Sequence, residues 1–329
     1  MKPGKISENV LKRSVLKYMD FEKTGIVRGA GVGNDCALFS SCRGASAATC
    51  SLRVKGREKV RHAIFAAVNN LWASGQEPRY LLLTITLPER AREIKLREIM
   101  EEAEQICREY HLQIIGGHTE TSELVTDMIV SVTALSDKNL RGDGAFGDGF
   151  PKEVTGYDIV VAGYIGMEAA GLVALQREEE LLTRYPKWLV DDLQAYREHV
   201  SVGDSARIAI EHGEKGMHDV GEGGIFASLW ELAQRTSSGL QIDIKKIPMR
   251  QSVIEVCNFY DLNPYEVLSQ GCLLIVARDG DTLAQSLTDA DIPAAVIGKL
   301  TEGNDRLIQN GEEIRYMDLP KPDQIRKLL

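Results

Sequence analysis

The stretch "HLQIIGGHTETSEL", residues 111–124, decides how the first half of the chain is read. Its "LQII" reads as a strand. The strand stops at Gly116-Gly117, and His118, Thr119, Glu120, Thr121 and Ser122 follow. A strand ending in glycines presents backbone N–H groups without side-chain obstruction, a concavity suited to phosphate oxygens. Thr119, Glu120 and Thr121 add the oxygen ligands that a hard cation such as Mg²⁺ takes. A tight turn with exposed polar residues would give the same letters, so the turn alone leaves the choice even.

Outward from this stretch the pattern alternates. Before it come "REKVRHAIFAAVNNLWASG" (57–75), a helix stopped by Gly75; "RYLLLTITL" (79–87), a buried strand; and the amphipathic helix 92–111. After it comes the strand "VTDMIVSVTAL" (125–135). Ile6, Val10, Leu11, Val15, Leu16 and Met19 set a helix over 5–20, and "CALF" (36–39) reads as a strand. That order is an α+β layer pattern rather than a strict βαβ wind. Residues 140–157 carry five Gly and one Pro without apolar periodicity and mark a boundary. Beyond it run the strand "DIVVAGYI" (158–165), helices interrupted at Pro186, helix 225–235, strand "LQIDIKKIP" (240–248), helix 251–260, strand "CLLIVAR" (272–278), helix 281–289, strand "AAVIGKL" (294–300) and a hairpin at Asn310-Gly311. Two domains are expected, over 1–140 and 158–329, joined by a linker at 141–157.

The totals narrow the function. The chain has 329 residues, is 43% hydrophobic and 26% charged, and carries a formal net charge of −9, so it builds a core and shows no basic face for nucleic acid. No apolar run reaches the ~18 residues of a membrane span. The first 19 residues carry charges throughout and do not read as a secretory signal. The six cysteines form no C-x-x-C pair, and no His lies between Cys36, Cys42 and Cys50. Plain thiols in a reducing cytoplasm are expected.

Two further glycine-rich sites stand out. "GAGVGND" (29–35) offers Gly31 and Gly33 before Asn34 and Asp35, whose carboxylate could hold Mg²⁺. A flexible loop entering a strand is the plainer alternative. In "MHDVGEGGIFASLWELA" (217–233), Gly221, Gly223 and Gly224 open an amphipathic helix whose free N–H groups favour an anion. His218 and Asp219 flank it, and with His118 they are the catalytic candidates, although a His near a turn is more often structural. "GDGAFG" (142–147) fits G-x-G-x-x-G, but Pro151 follows and no helix starts there, so it reads as linker. No Ser-His-Asp order, H-E-x-x-H or Walker A motif is present.

"GKIS" (4–7), "GVGNDCALF" (31–39), "AAVNNLWASGQEPRYLLLTITLP" (66–88), "IIGGHTETS" (114–122), "GYIGMEAAGLVAL" (163–175), "MHDVGEGGIFASLWELA" (217–233) and "LSQGCLLIVA" (268–277) occur in that order. Together they resemble the superfamily of aminoimidazole ribonucleotide (AIR) synthase, selenophosphate synthetase, thiamine-monophosphate kinase and HypE, most closely its HypE-like branch. The resemblance implies an N-terminal α+β domain that forms a β-barrel across a homodimer, with a C-terminal α/β domain packed on it. It also implies ATP in the cleft, Mg²⁺ on its phosphates, and phosphate transfer to an oxygen of a small molecule. Such catalysis is positioning and charge neutralisation more than covalent chemistry.

By the same resemblance Asp35 and Glu120 match metal-ligand positions. Gly116, Gly117, Gly223 and Gly224 match nucleotide-site glycines, and Lys5 lies in a segment that closes over phosphates. Gly31, Gly33, Asn69, Asn70 and Thr119 complete the expected nucleotide set, and Asn34 is the third expected metal ligand. Three positions depart from the family pattern. Asn34, Asn70 and His118 stand where acids are common, which implies weaker Mg²⁺ binding or a non-catalytic, nucleotide-binding scaffold. HypE chemistry itself is not expected, because it uses a cysteine in a C-terminal tail and the last cysteine here is Cys272.

Overall fold

The computed structural model describes residues 8–9, 12, 26–28, 31–32, 36–39, 46–52, 58–141, 150, 153–214 and 216–328. Lys5, Gly33, Asn34 and Asp35 lie outside the described residues, as do "GDGAFG" and most of the helix expected over 5–20.

Six strands form the first sheet, in the order β1 (Ile26–Arg28), β2 (Cys36–Phe39), β3 (Ser46–Leu52), β7 (Ile129–Ser136), β5 (Tyr80–Pro88), β6 (Gln113–Ser122). Only β5 and β6 run parallel. Alternation gives the sheet two unlike faces. Leu81, Leu83, Ile85 and Leu87 of β5 and Val130, Val132 and Ala134 of β7 are buried against helix α1 (Lys59–Ala73) and helix α2 (Glu93–Glu109). The other face carries Thr49, Thr84, Thr86 and Thr133, with the Thr133 hydroxyl donating to Thr49 at 3.1 Å. Among the described residues the sheet is open within one chain, with β1 and β6 as its edges, while β4 (Gln76–Glu77) and β8 (Lys138–Asn139) pair as a separate two-stranded ribbon.

Strand β3, "SAATCSL", has no counterpart in the sequence reading. Its residues are small and give no alternation of large apolar side chains. They suit a strand lying under α1, where Ala48 is buried.

Seven strands form the second sheet: β10 (Gly216–Val220), β12 (Cys272–Ala277), β9 (Asp158–Ala162), β13 (Ala294–Thr301), β11 (Gly239–Asp243), β14 (Arg306–Asn310), β15 (Glu313–Tyr316). Only β11 and β14 pair in parallel. Strand β12 is buried along its whole length, so "CLLIVA" is apolar on both faces. Leu273 and Ile275 join one core cluster, and Leu274 and Val276 join the other. The strand expected over "LQIDIKKIP" ends at Asp243, whose carboxylate accepts the Lys245 N–H at 3.0 Å and turns the chain into a 3₁₀ turn.

Helices α3 (Met167–Gln176), α4 (Glu178–Leu182), α5 (Lys187–Gln194) and α6 (Gly203–Glu211) cover one face of this sheet, with Pro186 at the start of α5. Helix α7 (Gly224–Thr236) lies on the other face, and α8 (Gln251–Phe259) and α9 (Gly280–Asp289) complete the set. One apolar cluster runs from the first sheet through α1 into α3, α5 and β12. Helix α1 therefore belongs to both halves, and it is buried nearly all round. Among the described residues no helix is long and apolar enough to cross a membrane.

Candidate functional site

The Gly116-Gly117 pair is not a turn. Strand β6 runs unbroken from Gln113 to Ser122 beside β5. Leu81 pairs with Ile114 and Leu82 with Gly116, so Ile115 is the extra residue of a β-bulge. Gly117 then passes close to β5: a Cβ there would sit 1.8 Å from the Leu83 carbonyl oxygen, and its φ is 146°. The glycines let the edge strand hug its neighbour, and the strand continues.

Continuity splits the expected ligand cluster. His118 pairs with Thr84 and Glu120 with Thr86, on the open face. Thr119 pairs with Ile85 and Thr121 with Leu87, on the helix-covered side of the sheet. The His118 Nε2 lies 3.5 Å from Glu120 Oε2, and Thr86 reaches Glu120 Oε1 at 3.5 Å. Both ionisable side chains are more than half exposed, at 68% and 51%. This is an open shelf on an edge strand, not the enclosed floor that the motif suggests. It offers one carboxylate with hydroxyl neighbours, and no group of three His, Cys, Asp or Glu able to hold a metal occurs among the described residues.

The Asn pair on α1 also divides. Asn69 is 1% exposed, and its amide donates to the Val200 carbonyl at 2.8 Å while its Oδ1 accepts the Val202 N–H at 3.2 Å. Both hydrogen-bonding ends are spent on holding the second half of the chain. Asn70 is half-buried on the same helix.

Two turns earlier on α1, the structure adds a polar network that the sequence reading missed. His62 Nδ1 lies 2.6 Å from Glu168 Oε1, and both side chains are fully buried. His62 Nε2 lies 2.9 Å from the Tyr196 hydroxyl, Glu168 Oε2 accepts the Gln270 N–H at 2.8 Å, and Gln270 Nε2 donates to the His62 carbonyl at 3.2 Å. A proton on Nδ1 serves the carboxylate and leaves Nε2 to accept from Tyr196. The signal was an acid inside "GMEAAGLVAL": a lone carboxylate on an otherwise apolar helix needs a buried partner. Gly171 has its own reason, since a Cβ there would fall 2.0 Å from the Tyr196 ring.

At the start of α7, the N-terminal N–H groups already have a carboxylate. Asp323, only 3% exposed, accepts the Gly223 N–H at 2.8 Å through Oδ2 and the Ile325 N–H at 2.9 Å through Oδ1. Burial pushes its carboxyl up to about 7, with Glu222 and Glu168 adding repulsion against the two N–H donors. Gly223 and Gly224 hold φ of 86° and 67°. His218 is buried on β10 with Nε2 3.2 Å from Glu231 of α7. Asp219, the next residue along the strand, lies on the opposite face, so the pair does not act on one atom. Gly31 is half-buried. Cys107 and Cys257 are buried thiols pushed up to about 11 and about 12 by desolvation, which suits inert packing.

Comparison with known proteins covers both halves. The family model described as AIR synthase related protein, N-terminal domain, matches residues 32–136, and its C-terminal domain counterpart matches residues 155–309. Carbamoyl dehydratase HypE of Rhizobium leguminosarum bv. viciae is 26% identical over 257 residues, covering 75% of this chain and 69% of that protein. Thiamine-monophosphate kinase of Bacillus subtilis is 22% identical over 237 residues, covering 68% and 70%. A crystal structure of hydrogenase maturation protein HypE in complex with ATP superposes with a TM-score of 0.70 at 17% identity, covering 98% of this chain and 97% of that one.

Proposed function

The chain belongs to the AIR synthase related family, and from that premise we propose that it is an ATP-dependent enzyme that phosphorylates or otherwise activates an oxygen of a small molecule. The observation that carries this reading is the two-domain match along nearly the whole length to a protein that was crystallised with ATP. Relatives named thiamine-monophosphate kinase and carbamoyl dehydratase support the reading, the first being by its name a kinase of a small molecule.

For Mg²⁺, the described donors are the Glu120 carboxylate and the Thr86 hydroxyl on the open shelf, with Asp35 as the second acid by family position. The ion would neutralise phosphate charge there. His118 beside Glu120 supplies a donor to a phosphate oxygen rather than the negative charge of an acid. Asn69 is withdrawn from the nucleotide set because the Val200 and Val202 backbone occupies it. We place the domain division in the linker 141–157 and the protein in the cytoplasm.

The open shelf also supports a homodimer. Strand β6 is ten residues long, exposed and, among the described residues, unpaired on its outer side, and such edges are normally covered. A second copy set against it would complete a barrel and enclose Glu120. Light scattering of the purified chain should give twice the monomer mass.

The decisive experiment is calorimetric titration with ATP, with and without Mg²⁺, followed by assay of phosphate release. Mg²⁺-dependent binding with turnover that Glu120→Gln reduces supports the enzyme. Binding without turnover across a panel of oxyacid, amide and phosphomonoester acceptors favours a nucleotide-binding scaffold. The amides at Asn34 and Asn70 and the imidazole at His118 are the features that favour that second reading.

A further inference from the structure

The second sheet also ends in an open edge. Strand β15 lies outside β14, and among the described residues no further strand pairs with it. Its residues Glu313, Ile314, Arg315 and Tyr316 are all exposed, Ile314 at 56% and Tyr316 at 67%. Alternation puts Glu313 and Arg315 on the face that carries Ile308, and Ile314 and Tyr316 on the other. Arg315 shares the lining of a small cavity with Asp318, but Asp318 is already paired with Lys321 at 2.8 Å.

The bonds to β14 fix which backbone groups are free. The Met317 N–H donates to the Arg306 carbonyl at 2.8 Å. Bonded and non-bonded pairs alternate along an antiparallel ladder. Arg315 with Ile308 and Glu313 with Asn310 are therefore bonded pairs, and Ile314 and Tyr316 turn their N–H and C=O groups outward.

We propose that β15 pairs antiparallel with β15 of a second copy of this chain, about a two-fold axis at Ile314.

Charge selects this register. Only residues whose backbone groups point outward can exchange bonds across the new ladder. Centred on Ile314, the two Ile314 residues form a bonded pair. Glu313 of each copy then faces Arg315 of the other at a non-bonded position, where side chains come closest. The neighbouring registers fail: setting Ile314 against Tyr316 opposes Arg315 to Arg315, and setting Ile314 against Glu312 opposes Glu313 to Glu313. The favoured register also lays Ile314 on Ile314, with Tyr316 on the diagonal, and covers apolar side chains that are otherwise in water. Charges commonly blunt a free edge. Opposite charges two residues apart do the reverse, because they complement their own two-fold image. The pairing is independent of the β6 edge and of the nucleotide reading.

The test measures the mass of the full chain by light scattering over a range of concentrations, for the wild type, Arg315→Glu and Glu313→Arg/Arg315→Glu. Arg315→Glu puts glutamate opposite glutamate at both charge pairs. It should raise the dissociation constant roughly tenfold or more and halve the mass. The double exchange returns opposite charges to both positions and should restore the mass. A wild type that stays monomeric, a mass unchanged by Arg315→Glu, or a loss that the double exchange does not repair would overturn the pairing. The outcomes also separate the two edges. Four or more copies falling to two means that both edges pair, two falling to one means β15 alone, and two remaining two leaves β6 alone. Should the charge variants fold poorly, mild oxidation of Ile314→Cys decides. Bonded partners sit about 5.5 Å apart between Cα atoms, within reach of a disulfide. Glu312→Cys is the control, because its two copies would lie more than about 13 Å apart. Cross-linking of Ile314→Cys without cross-linking of Glu312→Cys or of the wild type supports the register. No cross-link, or equal cross-linking of both variants, refutes it.

Discussion

Two glycine pairs that look alike as letters do opposite work. Gly116-Gly117 lies in an exposed edge strand, where the lack of side chains lets β6 press against Leu83. Gly223-Gly224 lies at a buried helix start, where positive φ aims the chain into α7, backbone at Tyr265 and Val267 crowds Gly224, and the Ala227 side chain crowds Gly223. The first pair leaves its polar neighbours, His118 and Glu120, facing solvent. The second has its N–H group capped by the chain's own Asp323. A glycine-rich motif thus marks close backbone approach in both places, and burial decides whether that backbone is available to a ligand.

The largest effect is expected away from both pairs, at the seam that holds the halves together. Glu168→Ala leaves His62 and the Gln270 N–H buried without their carboxylate. Removing one partner of a buried pair costs about 3–5 kcal/mol. Chemical denaturation should show this as a lower midpoint. A loss below ~1 kcal/mol would mean that water reaches the seam and that the halves are less tightly joined than their shared core implies.

Gly224→Ala comes next and tests the buried pair directly. The new Cβ would meet the Tyr265 carbonyl oxygen at 2.6 Å and Val267 backbone at 2.8 Å, at a φ of 67°. Backbone overlap together with left-handed strain should cost about 3 kcal/mol. Gly116→Ala is the matched control: its Cβ meets only the Leu82 side chain, at 3.3 Å, and should cost under ~1 kcal/mol. Equal losses in thermal melts would erase the distinction between the pairs. Asn69→Ala falls between them at about 1–3 kcal/mol, because it strands the Val200 carbonyl and the Val202 N–H in the interior.

Much of the fold was legible because its signals are periodic. The alternation in "RYLLLTITL", the amphipathic helix 92–111 and the continuous run "CLLIVAR" all became the elements they imply. What escaped reading was set by neighbours. Strand β3 is small because α1 lies on it, and β6 continues through two glycines because β5 runs beside it. The candidate site was legible as a list of residues and not as a geometry. Register sends Thr119 and Glu120 to opposite faces, and the return of the chain end to Gly223 is a contact between residues a hundred positions apart. His62 and Glu168, 106 positions apart, meet for the same reason.

The smallest expected structural effect is the most informative about function. Glu120 is half exposed, and its described contacts are long, at 3.5 Å to His118 and to Thr86. Glu120→Gln should therefore move stability by no more than ~0.5 kcal/mol. It keeps the shape of the shelf and removes its one described carboxylate. If the shelf carries the metal-bound phosphates, Mg²⁺-dependent ATP affinity should fall about tenfold or more, while any binding measured without Mg²⁺ stays nearly constant. His118→Ala should weaken ATP alike with and without Mg²⁺, because a donor to phosphate does not need the ion. Should neither substitution change binding while Gly224→Ala or Asp323→Asn does, the nucleotide belongs at the buried glycine pair, and the exposed pair is left as the edge of a sheet awaiting its second copy.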